Sequence, residues 1–94
     1  MTWFIVSEPG LARAQAEAIG RHYLLKEPDA EVVNVEILCD ARYASQRAFD
    51  DPSMTDRKWA SHLLFLYVDG PGAETHGLLD AEGLGSACGE PKKR

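Results

Sequence analysis

The sequence predicts a small α+β domain: a three-stranded sheet in β-α-β-α-β order along the chain, one long helix on one face, a short second helix and an irregular C-terminal tail. Three stretches predict it. Residues 61–69, Ser-His-Leu-Leu-Phe-Leu-Tyr-Val-Asp, are apolar on both faces of a strand and need cover on both. Residues 31–40 alternate, with Val33, Val35, Ile37 and Cys39 on one face and Val32, Asn34, Glu36 and Leu38 on the other. Between the first strand and this one, Leu11, Ala12, Ala16, Ile19 and Tyr23 recur at helical spacing.

Thr2 to Ser7 reads as the first strand, because Trp3, Phe4, Ile5 and Val6 are aromatic or β-branched. Ser7-Glu8-Pro9-Gly10 has the chemistry of a helix entry: a hydroxyl to cap free N–H groups, an acid for the positive helix start, and a proline tolerated in the first turn. The long helix is expected over residues 9–26. Its alanines at 12, 14, 16 and 18 keep it thin enough to lie close to a sheet. Arg13, Glu17 and Arg21 are spaced for ion pairs on its solvent side. Gly20 weakens it by about 1 kcal/mol relative to alanine. Glu27-Pro28 ends it, because the residue before a proline resists helical geometry. A strand, a helix and a strand at this spacing suit a right-handed crossover between parallel strands.

A second, shorter helix is expected over 40–50, with Tyr43, Arg47, Ala48 and Phe49 roughly on one side, and a turn at Asp50-Asp51-Pro52-Ser53. The two-faced strand follows from Trp59. Asp69-Gly70-Pro71-Gly72 breaks it. The chain therefore divides into one α+β domain, 1–70, and a Gly-rich acidic tail, 71–94, ending in basic Pro-Lys-Lys-Arg. Residues 73–80 suggest at most a weak helix.

The chain has 94 residues and a net charge of −5. Setting aside Lys92, Lys93 and Arg94 leaves seven basic against fifteen acidic side chains, a charge of −8 for residues 1–91. An acidic body argues against nucleic acid as the partner, since phosphate tracking needs clustered Lys and Arg. It also argues against an anionic membrane surface. The N-terminus has no basic run before its short apolar stretch, so no secretory signal is expected. Two cysteines, Cys39 and Cys88, lie far apart with no C-x-x-C pair; as two thiols they fit a reducing cytoplasm, and the sequence does not say whether they pair.

No constellation marks a catalytic, cofactor or metal site. Cys39 lies on the apolar phase of its strand beside Asp40, which suits an inert buried thiol better than a nucleophile activated by His22 or His62. His22, His62 and His76 are too far apart to ligate from one face. The glycines form no phosphate cradle. What stands out is a basic concentration, Arg42, Arg47, Arg57 and Lys58, interleaved with Tyr43, Phe49 and Trp59. Aromatics and arginine dominate interface energetics.

These observations point to a non-enzymatic protein–protein interaction module, a regulator, adaptor or inhibitor of a larger cytoplasmic protein. Small acidic accessory proteins of phages and mobile elements share its size and lack of motifs. One helix covers one sheet face only. The expected partner surface is therefore the uncovered face with Leu63, Phe65 and Tyr67, joined by Arg42, Tyr43, Arg47, Phe49 and Trp59, and the partner is a larger protein or a second copy. The alternative is a dimeric ferredoxin-like domain, a small enzyme or ligand binder with a pocket between two sheets and with His62, Tyr67, Arg42 and Cys39 as its polar groups.

Overall fold

A computed structural model describes residues 1–48, 55–79 and 83–88. The expected turn at 50–53, Phe49 and the basic terminus 91–94 lie outside these residues. The described elements are β1 (Thr2–Val6), α1 (Arg13–Leu25), β2 (Val33–Leu38), α2 (Ala41–Ala48), α3 (Asp56–Ser61), β3 (Leu63–Asp69) and β4 (Gly77–Leu79). They build an α+β domain around a four-stranded sheet in the order β1-β2-β3-β4. β1 and β2 are parallel, joined by the α1 crossover, and β2–β3 and β3–β4 are antiparallel. A strand count of three is thus corrected to four, and a third helix is added. The element order β-α-β-α-α-β-β also differs from the β-α-β-β-α-β of a ferredoxin-like domain.

β2 lies at the centre and reads as its sequence suggests. Val33, Val35 and Ile37 are fully buried against α1, together with Ala16 and Tyr67. Each such aliphatic side chain contributes on the order of 1.5–3 kcal/mol by leaving water. Trp3, Ile5, Ile19, Tyr23, Phe65 and Leu78 pack around this layer, with the Trp3 and Tyr23 rings 4.7 Å apart. Ala16 and Gly20 are the buried residues of α1, so the small residues on that helix set its close approach to the sheet.

α1 begins later than the sequence suggests. Ser7 N–H donates to Leu38 O at 2.9 Å, which holds Ser7 in the β1–β2 ladder and away from a capping role. Gly10 then turns at φ 102°. The helix starts after Ala12, whose N–H donates to the Gln15 side chain at 3.0 Å.

The strand from Leu63 does not leave an open face. Tyr67 pairs with Val35 and Phe65 with Ile37, so both rings point to the α1 side. The register shifts between Ile37 and Leu38, and Leu63 becomes the partner of Leu38. That irregularity breaks simple alternation. Leu63 joins a second cluster with Leu38 and Ala44, flanked by Phe4, Tyr43, Trp59, Leu66 and Leu84. α2 and α3 thus cover part of the face opposite α1. The expectation that Leu63, Phe65 and Tyr67 form an exposed surface is overturned: Leu63 is 0% and Tyr67 2% accessible, and Phe65 is partly buried.

The segment after Gly70 contributes more than a loose tail. The turn at 70–72 is clasped to Glu31, whose carbonyl accepts from Gly72 N–H at 2.8 Å. Gly70 sits at φ 124°, and a side chain there would also run into the Glu31 carbonyl. Where a weak helix was expected, Gly77–Leu79 pairs with β3, placing Leu78 beside Tyr67. A three-residue strand has little intrinsic signal; the open edge of β3 supplies the hydrogen bonds that make it one. Further on, Gly85 N–H donates to Ala60 O at 3.0 Å and Ala87 N–H to Ser61 O at 2.8 Å. These bonds bring Cys88 to Cys39, and the two form a disulfide with Cα atoms 5.7 Å apart.

Candidate functional site

Chemically distinctive side chains gather at the corner where β2 ends and α2 and α3 begin. Asp40 follows the strand and stands just before α2. Its carboxylate accepts from Arg42 N–H at 2.9 Å, and the Arg42 guanidinium returns as a fork, with Nη2 2.9 Å from Oδ2 and Nε 3.3 Å from Oδ1. Those bonds to Arg42 hold the Asp40 carboxyl below its ordinary pKa. At the entry to α3, Thr55 Oγ1 accepts from Lys58 N–H at 3.2 Å, an N-cap that fixes where Lys58 and Trp59 project.

Tyr43 is the centre of the corner. Its ring stacks on the His62 imidazole with centroids 3.6 Å apart and planes inclined by 14°. Lys58 Nζ lies 5.2 Å and Arg42 Cζ 5.9 Å from the Tyr43 centroid, both within cation–π range. His62 Nδ1 is enclosed with no hydrogen-bond partner among the described residues, and the His62 carbonyl accepts from Cys39 N–H at 3.0 Å. Beneath the corner, the Trp59 indole N–H donates to the carboxylate of Glu36, which is 6% accessible. Glu36 projects from the central strand on the face opposite α1, paired with Phe4 and Leu66.

The structure therefore brings together Arg42, Tyr43 and Trp59 from the expected surface, and adds Lys58, His62, Asp40 and Glu36. Arg47 lies within α2. Leu63, Phe65 and Tyr67 are in the two cores instead. Glu36 carried the weakest signal in the sequence: a single acid beside Asn34 on the mixed face of the central strand. Cys39 is also corrected. It is half of a disulfide, so it is neither an inert thiol nor a nucleophile, and the cysteines lend no support to a reducing compartment.

A second polar group sits at the opposite end of β3. Tyr67 Oη donates to Asp69 Oδ2 at 2.8 Å, Gly70 N–H to Asp69 Oδ1 at 2.7 Å, and His76 Nδ1 lies 2.6 Å from Asp69 Oδ1. The bond from His76 is the main cause of a lowered Asp69 pKa. Burial, helped by the bond to Asp69, pushes the Tyr67 phenol up to about 12. This arrangement closes the β3–β4 hairpin. Tyr67 is packed beneath α1 and its hydroxyl is spent on Asp69, so the group reads as a structural clasp.

Among the described residues no cluster of His, Cys, Asp or Glu could hold a metal ion, and no helix is long and apolar enough to cross a membrane. Comparison with protein-family models, with curated proteins and with solved structures finds no match to this chain.

Proposed function

We propose that this chain is a small non-enzymatic interaction module that regulates, adapts or inhibits a larger protein, and that it docks through the α2–α3 corner. The observation that carries the reading is the Tyr43 ring held between His62 and the flanking cations Lys58 and Arg42. An aromatic stacked on an imidazole, with cations over its ring, joins apolar area and positive charge in one place, the combination found at interface hot spots. Two of its supports are local, the Thr55 cap and the Asp40–Arg42 fork, and the third is the long-range disulfide at Cys39. Little conformational freedom is then left to lose on binding. Lys58 favours a partner that presents a carboxylate there, while the Arg42 charge is matched by Asp40.

Capture with the tagged full chain from its host tests the proposal. One protein recovered in stoichiometric amount, lost with Tyr43→Ala and with Lys58→Glu but kept with Leu25→Ala on the exposed side of α1, supports it. Capture unaffected by the corner variants refutes the site; recovery of nothing above an unrelated bait refutes the function. A cytoplasmic setting is the other part of the sequence reading, and the Cys39–Cys88 disulfide runs against it, since disulfides persist in oxidising compartments. Alkylation before lysis tests it: labelled Cys39 and Cys88 indicate a reducing compartment, protected ones an oxidising compartment.

A further inference from the structure

The geometry points to β1 as a pairing edge whose occupant is a second copy of this chain, joined antiparallel across a twofold axis at Phe4. In the β1–β2 ladder, Met1 O accepts from Asn34 N–H and Ser7 N–H donates to Leu38 O. With Trp3 aligned to Val35 and Ile5 to Ile37, the odd-numbered residues turn their backbone groups toward β2. Thr2, Phe4 and Val6 therefore aim their N–H and C=O groups away from the sheet, and no described residue bonds them.

Sheet edges in stable monomers are blunted by charge, proline, a bulge or shortness. The other edge meets that rule, because β4 is only three residues long. β1 does not. Thr-Trp-Phe-Ile-Val runs five residues without a charge or proline, and its register with β2 has no irregularity. Val6 is 49% accessible at one end and Met1 59% at the other. The N-terminal ammonium is drawn inward, donating to Val32 O at 3.1 Å.

The edge suits a second copy because none of its self-pairs opposes like charges. Antiparallel pairing centred on Phe4 sets Phe4 against its own equivalent and Thr2 against Val6 of the other copy. Every outward residue then meets an outward residue, and each such pair exchanges both its bonds. The pairs are apolar or neutral, so two acidic bodies meet at a strand that carries no acid before Glu8. A twofold contact of this type is closed and stops at the dimer.

Sedimentation analysis of the full chain across a concentration series, with circular dichroism to confirm folding, tests this. The natural sequence is expected to dimerise. Thr2→Lys with Val6→Lys places like charges opposite each other at both outer pairs and should weaken the dimer by at least about tenfold, one step of about 1.4 kcal/mol. Thr2→Lys with Val6→Glu places Lys opposite Glu only in the antiparallel register and should restore it. A natural sequence that stays monomeric, a double-lysine variant that still dimerises, or a Lys/Glu variant that does not, overturns the proposal. Corner variants such as Tyr43→Ala leave this equilibrium unchanged, so it is separable from the docking proposal.

Discussion

Gly20→Ala is the substitution for which sequence and structure give opposite signs. On helix propensity alone the change stabilises α1 by about 1 kcal/mol. The structure sets Gly20 against the face of Tyr67: an added Cβ would lie under 3.0 Å from ring atoms Cγ, Cδ1 and Cδ2. That ring has nowhere to go. It is 2% accessible, its hydroxyl is bonded to Asp69, and Val35 and Leu78 flank it in the sheet. Overpacking a core costs typically about 1–3 kcal/mol, and a ring fixed on every side puts this case at the upper end. Net destabilisation of about 2 kcal/mol follows, a fall of roughly 10 °C in Tm for a domain of this size. Urea unfolding followed by circular dichroism and tryptophan fluorescence measures it. The same change in a Tyr67→Val background removes the obstacle, so there alanine should stabilise by up to about 1 kcal/mol, a coupling of about 3 kcal/mol. A stabilised single variant, or a cycle that closes without coupling, would refute the seating of α1 on Tyr67.

Other outcomes are equally specific. Cys39 and Cys88 are 49 residues apart, so replacing both with serine removes a cross-link worth about 4 kcal/mol in the chain-entropy account; equal urea midpoints for the variant and the oxidised protein would contradict it. Asp69 has a lowered pKa in the fold, so its contribution is present above its ordinary value of 3.8 and is lost as pH falls through the folded value. His76→Ala should flatten that acid limb of stability, and an unchanged limb would mean His76 is not the main cause. Tyr67 has a raised pKa, so its contribution is present below 10 and is lost as pH rises toward about 12. Absorbance titration should show a phenol ionising near that upper value which Tyr67→Phe removes. Glu36→Gln should keep the Trp59 fluorescence environment, because an amide oxygen still accepts the indole N–H, whereas Glu36→Leu should change it.

The core face of β2 was legible from Val33, Val35 and Ile37 because a period of two, uninterrupted, has one physical reading. The long helix was legible from its stripe, and its C-terminal stop from Glu27-Pro28. Its start was not, because whether Ser7 caps a helix or extends a strand depends on Leu38 O, a group from another part of the chain. Part of the corner site was visible as aromatics among cations, Arg42, Tyr43, Lys58 and Trp59. What gathers them is the return of α3 beside α2, and no spacing rule states that His62 will lie flat on Tyr43.

Local chemistry by itself determined that β1, α1, β2 and β3 form and that Val33, Val35 and Ile37 of β2 are buried. Contacts between distant segments decided the rest. A register shift at Ile37/Leu38 turned Leu63 into the second core, and the open edge of β3 recruited Gly77–Leu79. The backbone bonds from Gly85 and Ala87 to α3 carried Cys88 to Cys39. The physical reason is common to all three: a buried backbone group must find a partner, and in these places the partner comes from a part of the chain that the local sequence does not specify.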